Sequence, residues 1–166
     1  MTAEKTKTVV DSTELGGVYW TFATKFTLEF CKKFPYDAGD KDAINARVVE
    51  ALGLHLWILL KAVGTSEGEA IDEMHRHYLK SVQKDLAQSA ELSELRTQLL
   101  ARYKRYFENW KDDAKALQED FVFAAAAGLF PPGQPLTPVA QIHFMSWVLG
   151  SMTAALKIRA DLELKS

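Results

Sequence analysis

The stretch ALGLHLWILL, residues 51–60, is the most apolar run in the chain, and its reading decides the fold. A helix that crosses a bilayer needs about 20 apolar residues in succession. Lys61 closes this run at about half that length, so it reads as a core helix and no membrane span is expected. Ile44, Val48, Ala51, Leu52, His55, Ile58 and Leu59 recur at the helical period and share one face. No strand pattern competes with helix anywhere in the chain.

Working outward, helix ends are marked where an orphan N–H wants a side-chain oxygen and where Gly or Pro stops the coil. Asp11 with Glu14 caps a first segment that Pro35 stops. Asp40 or Asp42 opens the second, which Gly64 ends. Ser66 with Glu69 has the capping-box pattern for the third, which frays near residues 88–90. Its core stripe is Ile71, Met74, His75, Tyr78, Val82 and Leu86. A fourth segment runs from Glu91 to about Ala127 without Gly or Pro, roughly 50 Å of helix. Its stripe passes through Leu92, Leu95, Leu99, Tyr103, Tyr106, Trp110, Ala114, Leu117 and Phe121. Gly128 closes it, and Thr137 with Pro138 caps the fifth. The expected fold is an all-α single domain, residues 1–166, of five main helices with residues 1–11 flexible.

The fifth segment is apolar or small on every side between Val139 and Ile158. Ile142, Met145, Leu149, Met152 and Leu156 form one seam; Ser146, Gly150 and Ala154, with His143 and Trp147 beside them, form another. A helix apolar all round must be covered all round. Either it is the central helix of the monomer, or a second subunit covers it. The reading adopted is a homodimer, with Ile142, His143, Ser146, Trp147, Gly150 and Ala154 at the interface.

Chemistry is thinly signalled. In IDEMHRHYLK, residues 71–80, His75 lies within about 20° of the core stripe and His77 about 160° away, so the two cannot share a metal. His55, His75 and His143 could still meet as a mononuclear site with Asp72 nearby. The simpler expectation is that each buried histidine meets a Tyr hydroxyl or a carbonyl. RYKRYFENW, residues 102–110, interleaves bases with aromatics as single-strand binders do, but its rings belong to the core stripe and its bases to a solvated face. Cys31 has no positioned base. A Gly-rich phosphate loop, paired-cysteine spacing and a Gly-x-Ser-x-Gly elbow are all missing from the 166 residues, so no catalytic residue, metal or cofactor is assigned.

Bulky rings facing inward can leave an apolar cavity with a few polar groups, the usual form of a small-molecule pocket. Phe22, Phe26, His55, Met74, His75, Tyr78, Tyr103 and Trp110 are its expected lining. Twenty basic against 22 acidic residues give a net charge of -2, so specific DNA binding is not expected. One cysteine and no export-type apolar leader point to a cytoplasmic protein. The leading function is a non-enzymatic module that binds a small apolar molecule or dimerises. A metal-dependent helical-bundle enzyme using His55 and His75 and a structural protein–protein adaptor are the alternatives.

Gly16, Val18, Tyr19, Phe22, Thr24, Lys25 and Leu28 resemble, at matching spacing, the end of the recognition helix and the start of the next in TetR-type transcriptional regulators. Residues 124–156 resemble the last two helices of that family's ligand-binding and dimerisation region. The resemblance implies an effector-binding body, and only MTAEKTKTVVDSTEL precedes Gly16, too little for the missing helix and turn of a DNA-reading head. It also implies a helix break around Ala23 to Lys25. A stripe of Leu15, Tyr19, Phe22, Phe26 and Phe30 accounts for the same letters and requires one continuous helix.

Overall fold

The computed structural model describes residues 6–87 and 89–166. Residues 1–5 of the expected flexible N-terminus, and Gln88 of the expected frayed region, lie outside the described residues. The elements are β1 (Thr8–Val10), α1 (Ser12–Lys33), α2 (Lys41–Val63), α3 (Gly68–Ser81), a turn of π-helix (Val82–Leu86), α4 (Leu92–Asn109), α5 (Glu119–Leu129), α6 (Pro138–Ala160) and β2 (Leu162–Leu164). The fold is all-α, with six helices among the described residues where five were expected. The two short strands, also unexpected, pair in parallel with Thr8 opposite Leu162 and Val10 opposite Leu164.

α2 is the central helix. Every residue from Val49 to Leu60 is buried, and α1, α4, α5 and α6 all pack on it. Ile44, nearer its start, is exposed despite falling on the same stripe. α6, the other all-round apolar helix, packs on one side of α2. By length and composition both could cross a membrane, yet the apolar window of α2 is largely inside the fold and that of α6 is not.

The expected caps at three helix starts form. Asp11 and Glu14 close a reciprocal capping box, Asp40 accepts from the Ala43 N–H, and Thr137 accepts from the Ala140 N–H. The Ser66–Glu69 box expected for the third helix is not made: α3 begins at Gly68 with Glu67 at its N-cap and no side-chain cap, the Glu67 carboxylate being engaged by Tyr19 and Arg159.

The single long fourth helix is corrected to two. At about 1.5 Å per residue it would have run roughly 50 Å, overshooting α2 and α6, which are roughly 34 Å long. The chain instead leaves the helix at Trp110, in extended conformation, and re-enters after Gln118, which is left-handed with φ 56°. Gln118 is buried and pins the turn: its side-chain oxygen accepts from the Lys111 N–H at 2.9 Å and its amide donates back to the Lys111 carbonyl. The fold-back carries Phe121 onto Trp57, ring centroids 4.9 Å apart, and leaves Leu117 79% exposed, off the predicted stripe. Gly128 does not end the helix but lies inside α5, where a Cβ would come within 2.6 Å of Glu50 Cγ.

Gly16 sets the contact of α1 with α3. A Cβ there would meet the Ala70 carbonyl oxygen at 2.7 Å and Glu73 Cβ at 2.6 Å, whereas one on Gly17 would meet nothing within 4 Å. Gly16→Ala is expected to lower stability by roughly 1–3 kcal/mol through overpacking. Gly17→Ala, relieved of glycine's backbone entropy, should raise it by about 0.5–1 kcal/mol. Urea denaturation of the two variants checks the opposite signs.

Candidate functional site

Three polar side chains are buried on the central helix, and each engages a different part of the molecule. His55 is fully buried. Its Nδ1 lies 2.7 Å from the Ala51 carbonyl and 3.0 Å from Thr27 Oγ1 of α1, while Nε2 accepts from the Trp147 indole N–H of α6 at 2.9 Å. An indole nitrogen only donates. Nε2 is therefore the bare nitrogen, Nδ1 carries the proton, and the ring is neutral. Burial pushes the His55 pKa down to about 4, opposed by the hydrogen bond to Ala51. Phe26, Phe30 and Trp147 surround the ring with centroids 5.8–6.3 Å away.

Glu50, one turn and a half earlier, accepts from Arg102 Nε at 2.7 Å, from Arg105 and from the Tyr106 hydroxyl, tying α2 to α4. Tyr106 is held well above the ordinary phenol range by burial and by this carboxylate. Arg102 and Arg105 thus reach inward instead of lying on a solvated face. Buried Arg47 donates to the carbonyls of Leu129 at the end of α5 and of Phe34 at the end of α1. It stands where the last carbonyls of two helices need donors.

The eight expected pocket residues fall into separate groups. Phe22 and Phe26 stack at 4.4 Å, and Phe26 is tilted against His55. His75 Nε2 lies 3.0 Å from the Tyr103 hydroxyl, joining α3 to α4. Burial lowers His75, with Arg96 acting the same way and Asp72 opposing it, and burial raises Tyr103. Met74 and Tyr78 are fully buried. Trp110 packs elsewhere, against Trp57 and Phe121. The eight do not line one cavity together: Phe22 and Phe26, with Trp20, Lys25 and Ile158, line one open hollow of about 540 Å³, Trp110 lines a different one, and Met74 and Tyr78 are packed inside. Cys31 is half-buried, and burial pushes its thiol up, away from the thiolate a nucleophile needs.

The three histidines weighed as metal ligands do not converge. Both His55 nitrogens are committed, His75 faces Tyr103, and His143 is exposed on α6. Among the described residues no three His, Cys, Asp or Glu side chains gather as a metal site requires.

What remains is the outer face of α6. Phe144, Val148, Ser151 and Ala155 are buried against the bundle. On the opposite side Val139 is 63% exposed, Ile142 65%, Leu149 51% and Leu156 51%, with Ser146, Gly150 and Thr153 between them. Of the six residues expected at an interface, Ile142, His143, Ser146 and Gly150 lie on this exposed face and Ala154 at its margin. Trp147 is corrected: it turns in to His55. Beside the face is a hollow of about 540 Å³ between α6 and the 110–118 turn, floored by Trp110, Val122, Ile142, Met145 and Leu149.

Comparisons with protein families, with curated proteins and with solved structures find no match for this chain. α1 runs unbroken through Ala23 to Lys25, so the boundary implied by the TetR-type resemblance does not occur there. Glu50, Arg47, Glu67 and Arg159 were missed as organising residues. A signal existed for the first two, charges set just ahead of the most apolar run; for Glu67 and Arg159, 92 positions apart, there was none.

His55 makes stability depend on pH. The folded chain keeps it neutral down to about pH 4, whereas an unfolded histidine binds its proton near 6.5. Between those values the unfolded state holds more protons, so stability falls as pH falls through that window and is flat above it. The contribution is about 3 kcal/mol. Denaturant titrations from pH 7 to 4 should show this slope, shallower in His55→Gln, the remainder belonging to groups such as His75.

Proposed function

We propose that this chain is a non-enzymatic helical docking module whose working surface is the outer face of α6 with the adjoining hollow. The observation that supports it is the exposed apolar row Val139, Ile142, Leu149 and Leu156 on a helix already anchored on its other side. Isolated apolar residues on a surface are ordinary, but a contiguous row of them marks an interaction site. Leu117 and Phe123 add to the exposed apolar surface of the preceding turn and helix.

The interior supports this reading over a metal-dependent or pocket-centred one. Its histidines are occupied by Trp147, Ala51 and Tyr103, and its rings pack on one another. A small apolar molecule would find its place in the hollow beside α6, within the range of ordinary ligand pockets at about 540 Å³.

The double variant Ile142→Lys/Leu149→Lys tests the surface. Neither side chain is part of the buried core, so helicity should match wild type, and the thermal midpoint should match that of the wild-type chain at dilutions where it is not associated. The variant should lose the fluorescence that the dilute wild-type chain gives with the apolar dye bis-ANS, and any association seen at higher concentration. Equal behaviour of the two chains in both assays would overturn the reading.

A further inference from the structure

We infer that the occupant of this face is a second copy of the chain, seated as an antiparallel α6–α6 pair about a two-fold axis near Gly150; the inference rests on the docking reading above. The exposed residues follow a seven-residue repeat: Ile142, Leu149 and Leu156 in one row, Val139, Ser146 and Thr153 in the other. Alternating three- and four-residue steps are the spacing of a helix packed along another helix. All six are exposed, so this repeat is not used inside the chain. Thr153 gives its hydroxyl to the Leu149 carbonyl at 3.1 Å, so it carries no unpaired donor into a contact.

Gly150 is the second observation. An interior glycine weakens a helix relative to alanine. Gly16, Gly53 and Gly128 each have a reason inside the chain, since a Cβ there would strike a neighbour at 2.6–2.8 Å. At Gly150 a Cβ would meet nothing within 4 Å and φ is not positive. As at Gly17, nothing inside the chain requires the glycine; here it is flanked one turn away on either side by Ser146 and Ala154, and the three together leave room for a backbone approaching from outside.

The absence of charge is compatible with a second copy. From Pro138 to Leu156 there is no Asp, Glu, Lys or Arg, so nothing on the face recruits a charged partner and nothing repels a like one. The repeat from Val139 to Leu156 is roughly 27 Å long and one helix, about 10–12 Å, wide, and the adjoining hollow lined by exposed Leu117 widens this surface toward the ~800 Å² per partner of an ordinary stable interface. Antiparallel seating opposes the helix dipoles and separates the two Lys157 side chains, which a parallel pair would bring together.

Sedimentation velocity and light scattering over micromolar concentrations test this. The wild-type chain should have twice the monomer mass. Leu149→Lys should be monomeric, and Gly150→Leu should weaken association at least ten-fold while raising the thermal midpoint of the dissociated chain. A wild-type chain monomeric throughout, yet binding bis-ANS through the face, overturns the second copy and leaves the docking reading standing. A monomer that binds no dye overturns both. A dimer indifferent to both substitutions, or co-sedimentation with phosphatidylcholine vesicles that Leu149→Lys abolishes, overturns the α6 pairing.

Discussion

The structure depends on one constraint: α2 is apolar on every side and must be enclosed, while three of its side chains cannot be enclosed without partners. A buried polar group left unpaired costs about 1–3 kcal/mol, more if charged. Arg47, Glu50 and His55 therefore act as addresses. Arg47 calls for the carbonyl ends of α1 and α5, Glu50 for the two arginines and the tyrosine of α4, His55 for a hydroxyl of α1 and an indole of α6. Apolar burial alone would let the outer helices slide round the central one. Directional bonds fix which helix lies where.

A second network repeats the principle at one end of the bundle. Glu67, just before α3, accepts from the Tyr19 hydroxyl of α1 and from Arg159 at the end of α6, and Arg159 also donates to the Leu162 carbonyl at the start of β2. Here an acid that falls at the start of a helix is spent on a long-range tie while the Ser66–Glu69 capping pattern beside it goes unused. Arg159 also delivers the chain into β2, where Thr8 donates to the Asp161 carbonyl at 3.0 Å and Lys165 donates to that of Val10 at 2.9 Å.

What was legible in the sequence is what is local. The core role of residues 51–60, the caps at Asp11, Asp40 and Thr137, and the stop at Gly64 each depend on neighbours within a few positions. The partners expected for buried histidines, a carbonyl and a Tyr hydroxyl, are those His55 and His75 have. What escaped is non-local. The long periodic stripe through Leu117 gave no hint of the break, because the break is set by Gln118 closing on Lys111 and by Phe121 reaching Trp57. Gly128 looked like a stop signal, and its reason is a carboxylate 78 positions earlier. The candidate surface was half legible: the excess apolar character of the last helix was plain, but which side it kept exposed waited on the packing of Phe144, Val148, Ser151 and Ala155.

The parallel pairing of β1 with β2 has a mechanical consequence. Tension applied at the two ends of the chain would pull β1 toward its start and β2 toward its finish, so the strands would be dragged along each other's length. The bonds across the pair would be loaded together instead of opening one by one. This short two-stranded ribbon is thus a shear latch, and the helices behind it would not feel an extending force until it slipped.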